Sequence, residues 1–118
     1  MSVVTSGNHP KEFIELERLE WQPMGKGVRR KILTYDEKIM MVRVEFEKGG
    51  IGTLHQHPHI QVTNVESGIF EIEINGRKHI LNAGDAFHVP SNALHGAVCL
   101  EAGVLIDVFS PMREDFIS

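Results

Sequence analysis

Apolar and polar side chains alternate with a period of two along most of this chain. Met40, Val42, Val44 and Phe46 interleave with Met41, Arg43, Glu45 and Glu47, the pattern of a half-buried strand. Phe70, Ile72 and Ile74 alternate with Glu71 and Glu73 in the same way. Asn75-Gly76 follows and predicts a tight hairpin, because both central residues of a type I′ turn need positive φ. The return strand is read as Arg77–Leu81, closed by Asn82-Ala83-Gly84-Asp85. Phe87-His88-Val89 is a short strand stopped by Pro90. Ala97–Leu100 and Val104–Phe109 are read as a further pair across Glu101-Ala102-Gly103. On the last strand Leu105, Asp107 and Phe109 share one face and Val104, Ile106 and Val108 the other. Both faces are largely apolar, which predicts a strand buried between layers.

No helix is predicted within residues 28–110; Lys11–Leu19 forms one turn or an edge strand before Pro23. Many short strands with a turn signal every eight to twelve residues predict an all-β barrel or sandwich. Such an antiparallel barrel has room inside for one small ligand. The first ten residues, with His9-Pro10, are expected to be poorly ordered unless a partner chain ties them down.

Length and composition fit one compact domain. The chain has 118 residues, 42% hydrophobic and 24% charged, with a net charge of −4. That size buries a real core without staples. The acidic balance argues against a nucleic-acid surface, which needs a basic stripe. Arg29-Arg30-Lys31 is the one basic run, and a solvated strand end accounts for it. The single cysteine, Cys99, excludes an intramolecular disulfide and suits a reducing cytoplasm. No stretch approaches the roughly 18 apolar residues of a membrane span. The start lacks the charged and apolar regions of a signal peptide, so a cytoplasmic location is expected.

The candidate chemistry lies in four residues. His55, His57 and Gln61 fall in the run from Gly49 to Gln61, and His95 follows the segment Gly84–Leu94. His55 and His57, two apart, project from the same face if they lie on a strand. Imidazole suits divalent transition metals, and a polar cluster on an apolar inward face is accounted for by an ion.

These positions resemble the two motifs of the cupins. Gly49, His55, His57, Gln61 and Gly68 match the first, with Gln61 where most members carry Glu. Gly84, Pro90 and His95 match the second, with Asn92 in place of a Gly and Cys99 in place of an Asn. The resemblance covers roughly residues 28–113. It implies a single-domain cupin double-stranded β-helix, a jelly-roll barrel, over 28–118. Residues 1–27 would form an N-terminal segment, partly flexible or packed on a dimer partner. It also implies one divalent ion (nickel, zinc, iron or manganese) held by His55, His57, Gln61 and His95. Three imidazoles and a neutral amide leave the site near +2, where a Glu ligand would leave about +1. A more positive ion is the stronger Lewis acid and suits binding and proton-transfer chemistry better than oxygen activation.

The C-terminal run from Asp107 to Phe116 is similar to the end of the small pectin-degradation cupins, which open the ring of 4,5-unsaturated uronates to linear 5-keto sugar acids. That resemblance implies functional roles for Asp107, Phe109 and Arg113 and a small sugar acid as ligand. Two rival readings stay open: a sugar isomerase or dioxygenase on the same barrel, and a non-catalytic sugar-acid carrier. Homodimerisation through the N-terminal segment and a sheet edge is expected, since barrel edges must be covered.

The residues themselves leave alternatives. Asp107 is the only carboxylate expected on the pocket face; it is proton-moving, an N-cap, or ion-paired with Arg113. Arg113 is a carboxylate clamp or a surface residue on a terminal turn. Phe109 by itself reads as core. His59 lines the pocket or its rim; His79 and His88 read as exposed or hydrogen-bonded, and Cys99 as a small buried hydrophobe. Met24, Met40 and Met41 read as core or gap fillers.

Overall fold

The computed structural model describes residues 12–117, and the first ten residues lie outside that range. Eight strands follow one another: β1 (Gln22–Pro23), β2 (Val28–Asp36), β3 (Ile39–Phe46), β4 (Ile51–His55), β5 (Ile60–Ile74), β6 (Arg77–Asn82), β7 (Ala86–Val89) and β8 (His95–Ser110). Every pairing is antiparallel. Short 3-10 turns stand at Leu16–Arg18 and Glu114–Phe116. Among the described residues no helix is long and apolar enough to cross a membrane.

The barrel is organised by two long strands that pair over nearly their whole length, β5 and β8. Each half of β8 takes a different second neighbour: β4 beside His95–Val98, β3 beside Gly103–Phe109. β5 divides in the same way between β7 and β6. Two strands that change neighbours halfway must bend, and the register slips between Val65 and Phe70. At the bend the backbones of Gly68 and Gly103 touch. A Cβ on Gly68 would stand 2.6 Å from the Glu101 carbonyl oxygen, and one on Gly103 would collide with the Ser67 carbonyl.

Glu101-Ala102-Gly103 is therefore not the turn that the sequence predicts. Ala97–Leu100 and Val104–Phe109 do not pair with each other; they are the two arms of β8. Gly103 marks the close approach of two backbones inside a strand, a use of glycine that looks the same in sequence as a turn.

On β3 and β5 the alternation carries one face into the core, whereas Ile106 and Val108 of β8 stand half-buried on the outer face rather than between layers. Met40, Val42 and Phe46 are buried, and Asn75 and Gly76 take φ of 50° and 82°, as a type I′ hairpin requires. One apolar cluster joins Val28, Phe46, Val65, Phe70, Ile72, Cys99 and Leu105; a second joins Met40, Val42 and Phe109. Phe46 meets Phe70 edge to face at 5.1 Å. Cys99 sits in the first cluster and donates its thiol hydrogen to the Glu101 carbonyl. His79 and His88 are exposed. Of the three methionines read as core, Met40 is; Met41 and Met24 are exposed, the latter at the mouth of the cavity described below.

The described part of the N-terminal segment runs along its own barrel. Gln22–Pro23 adds to β2 as an edge strand, and Lys31 Nζ donates to the Leu16 carbonyl at 2.9 Å. The basic run is thus not a solvated strand end. Arg29 bonds Glu45, Lys31 is buried beside Trp21, and Arg30 points into the barrel cavity. The period of two carries Val28, Arg30 and Ile32 to the inner face together, so the signal for Arg30 was present in the sequence.

Candidate metal centre and its cavity

Three strand ends bring the histidines together. β4 stops at His55, so His57 stands in the turn before β5 rather than on a strand, and His95 opens β8 as the cross-strand partner of His55. The turn is held by the Asn92 amide, which donates to the His57 carbonyl at 2.7 Å. Asn92 has φ of 65°. Asparagine tolerates this left-handed conformation better than most residues, which is why it can stand where the motif has glycine.

The ligand atoms of His55, His57 and His95 lie within 4.8 Å of one another. In each ring Nδ1 contacts a backbone carbonyl: Thr53 at 2.8 Å, His59 at 3.0 Å and Ala93 at 2.9 Å. A carbonyl only accepts, so Nδ1 carries the proton and Nε2 presents a lone pair. Burial holds both His57 and His95 below the ordinary histidine pKa, His95 at about 4, so both rings are neutral at physiological pH.

Gln61, buried on β5, aims its amide oxygen at the same point, 3.1 Å from His57 Nε2 and 3.2 Å from His95 Nε2. Its orientation is set from the other side, where Nε2 donates to Thr63 Oγ1 at 2.9 Å. Imidazole lone pairs and an amide oxygen therefore converge with no donor hydrogen between them. Such a set of acceptors repels itself until a cation sits among them, and its nitrogen and oxygen donors suit a divalent transition metal.

A cavity of about 440 Å³ opens beside this cluster, within the usual range for a small-molecule site. His55, Gln61, His95, Asp107, Phe109, Arg113, Arg30, Asp115 and Phe116 share its wall. Asp107 lies opposite Thr63 across β5 and β8, and the Thr63 hydroxyl donates to its Oδ1 at 2.6 Å. Gln61 Nε2 adds a longer bond of 3.4 Å. Burial pushes the Asp107 carboxyl up to about 6, against the pull of Thr63, Arg113, Arg30 and Gln61.

Asp107 is neither an N-cap nor the ion-pair partner of Arg113. Arg113 is buried, but its Nε and Nη2 donate to the two carboxylate oxygens of Asp115 at 3.0 and 2.8 Å. Asp115 is thus a second carboxylate in the cavity wall, beyond the one that the sequence suggested, and Arg113 holds its pKa down. Arg113 also lies 4.4 Å over the Phe116 ring and 5.2 Å from that of Phe109. Phe109, 2% exposed, is core by burial and cavity wall by position; its ring stands nearly perpendicular to His57 with centroids 5.7 Å apart. His59 packs against His57, and its buried Nδ1 finds no partner among the described residues.

The cupin domain model matches residues 42–109. The pectin degradation protein KdgF of Dickeya dadantii is 50% identical over 107 residues, covering 89% of this chain and 96% of that protein. The structure of KdgF from a Halomonas species superposes with a TM-score of 0.87 at 41% identity, covering 91% of this chain and 99% of that one. An RmlC-like cupin from Shewanella frigidimarina gives 0.88 at 42% identity, covering 91% and 96%. With fold, site geometry and relatives in agreement, the chain belongs to the cupin family, as a small single-domain cupin resembling the pectin degradation proteins.

Proposed function

We propose that this protein opens the ring of 4,5-unsaturated uronates, as released in pectin breakdown, to linear 5-keto sugar acids. The observation that carries the reading is the joining of Asp107, through Thr63 and Gln61, to the histidine cluster in one cavity that also holds two arginines. The relatives named for pectin degradation support the substrate class. A divalent ion held by His55, His57, His95 and Gln61 would supply Lewis acidity toward the substrate oxygens.

The chain's own residues account for the proton movements. The substrate is a cyclic hemiacetal with a C4–C5 double bond. Asp107 takes the proton from the anomeric hydroxyl; its electrons form the C1 carbonyl as the bond from C1 to the ring oxygen breaks. The ring oxygen leaves as an enolate, and its collapse to the C5 ketone moves an electron pair to C4, where the proton is delivered. Proton count is unchanged, so no co-reactant is required. A carboxyl near pKa 6 serves both as acceptor and as donor close to neutral pH. Arg113, held by Asp115, presents positive charge to the developing enolate. Phe109 keeps one wall dry and packs against the His57 ring at near right angles.

The test follows the ultraviolet absorbance of the conjugated enol ether after mixing metal-loaded protein with unsaturated galacturonate. Decay faster than in buffer supports the reading. No acceleration on any unsaturated mono-uronate, with uronate binding retained, transfers the assignment to a sugar-acid carrier.

We also propose a homodimer. On the outer face Met41, Val108 and Val62 stand side by side across β3, β8 and β5, flanked by exposed Ile39 and Ile60. Light scattering should give twice the 13.3 kDa chain mass and fall to the monomer for Val62→Glu. The buried free thiol of Cys99 favours the cytoplasm as its setting.

A further inference from the structure

We propose that Arg30 receives the carboxylate of the sugar acid, an inference that rests on the uronate reading of this cavity and refines it. Two guanidinium groups line the wall, Arg30 and Arg113. They differ in whether a protein carboxylate already holds the fork. Arg113 spends its Nε and Nη2 edge on both oxygens of Asp115. Arg30 donates only Nε, to Gln22 Oε1 at 2.7 Å, and its Nη1 and Nη2 have no protein acceptor among the described residues. The end of the Arg30 fork is therefore open for two parallel hydrogen bonds to a planar carboxylate.

The group is also held in place before any ligand arrives. Its Cζ lies 3.6 Å over the Phe116 ring, and Gln22 on β1 fixes the rotation about Nε. Little side-chain freedom remains to be lost on binding. Its neighbours in the basic run have other work: Arg29 pairs with Glu45, and Lys31 bonds the Leu16 carbonyl. Among the described residues no carboxylate lies within ion-pair distance of Arg30, whereas Arg113 repels it across the cavity. Asp115 and Asp107 attract it only from beyond contact distance, so a half-buried cation with no direct ion pair, facing a second cation, is relieved by an incoming anion.

The deciding measurement uses a saturated ligand, so that binding is read apart from ring opening. Dissociation constants of galacturonate and of neutral galactose are determined by calorimetry on the metal-loaded protein, for wild type, Arg30→Gln, Arg30→Lys and Gln22→Leu. We expect wild type to prefer galacturonate and Arg30→Gln to lose about 10- to 100-fold of that affinity, the range of a charge-assisted pair. Galactose binding stays the same, Arg30→Lys falls between, and Gln22→Leu loses part of the preference. If Arg30→Gln does not fold, Arg30→Lys and Gln22→Leu carry the comparison. Galacturonate affinity unchanged in the Arg30 variants overturns the proposal, as does equal loss of both sugars or a wild type without preference. A wild type that discriminates through Arg30 yet opens no unsaturated uronate leaves this proposal standing and removes the enzymatic reading.

Discussion

Thr63 and Asp107 face each other across β5 and β8, and the Thr63 hydroxyl bridges the Gln61 amide to the half-buried Asp107 carboxylate. It accepts from Gln61 Nε2 at 2.9 Å and donates to Asp107 Oδ1 at 2.6 Å. The direction of these bonds is forced: an amide nitrogen only donates and a carboxylate only accepts. One hydroxyl thus turns the Gln61 oxygen toward the histidines and holds Asp107 toward the cavity.

Replacing that hydroxyl tests the bridge. Thr63→Val removes both short bonds and leaves the Gln61 amide and Asp107 joined only by their 3.4 Å contact, at a cost of about 1–3 kcal/mol. Because the Thr63 bond lowers the Asp107 pKa, its loss should move the acid limb of the pH–rate profile to higher pH. Thr63→Ser should restore the wild-type limb. A profile that does not move in Thr63→Val would reduce Thr63 to packing.

The convergent acceptors are placed to hold an ion. Titration with nickel, zinc or manganese should reach one ion per chain, and at a free concentration near 100 times Kd binding should add about 2.7 kcal/mol of stability. Chelation should lower the melting temperature of wild type and leave that of His95→Ala unchanged. Equal melting of wild type with and without metal would exclude the site.

Asp107 should cost stability where it is ionised. Its pKa rises from 3.8 to about 6 on folding, so between these values the native state retains a proton that the unfolded chain has released. The stability from this group is complete below 3.8 and is lost as pH rises through 6. An upper bound on that loss is about 3 kcal/mol. Metal-free Asp107→Asn, which never ionises, should melt above metal-free wild type at neutral pH, with the gap closing in acid. The same variant should keep its metal and lose roughly 10²–10⁴-fold in rate. Identical melting at neutral pH would contradict the buried-carboxylate account.

Arg113 should matter more to substrate than to folding. Its partner Asp115 has a side chain 62% exposed, and ion pairs open to solvent add little stability. Arg113→Lys keeps the charge but loses the two-pronged bond and the stacking on Phe116. Its kcat/KM should fall at least tenfold while the melting temperature moves by only a few degrees. Unchanged kinetics would leave Arg113 as a purely structural residue.

Period-two alternation by itself determined that this is an all-β domain, which faces of β3 and β5 turn inward, and the hairpin at Asn75-Gly76. These are local properties: a side chain two residues along returns to the same face, and only certain residues accept positive φ. The spacing of His55, His57, Gln61 and His95 was legible for the same reason, since it follows strand ends already marked by glycine and proline. What the sequence did not reveal depends on which strands become neighbours. Gly103 looked like a turn because its need, room for the Ser67–Gly68 backbone, arises on a strand 35 residues earlier. Thr63 gained its role only when register set it opposite Asp107. Arg113 and Asp115 became a pair, and Arg30 a cation stacked on Phe116 with no direct ion pair, only when β2 and the C-terminal turn met at one cavity wall. A local pattern fixes the face a residue occupies; only the closed barrel decides what that face meets.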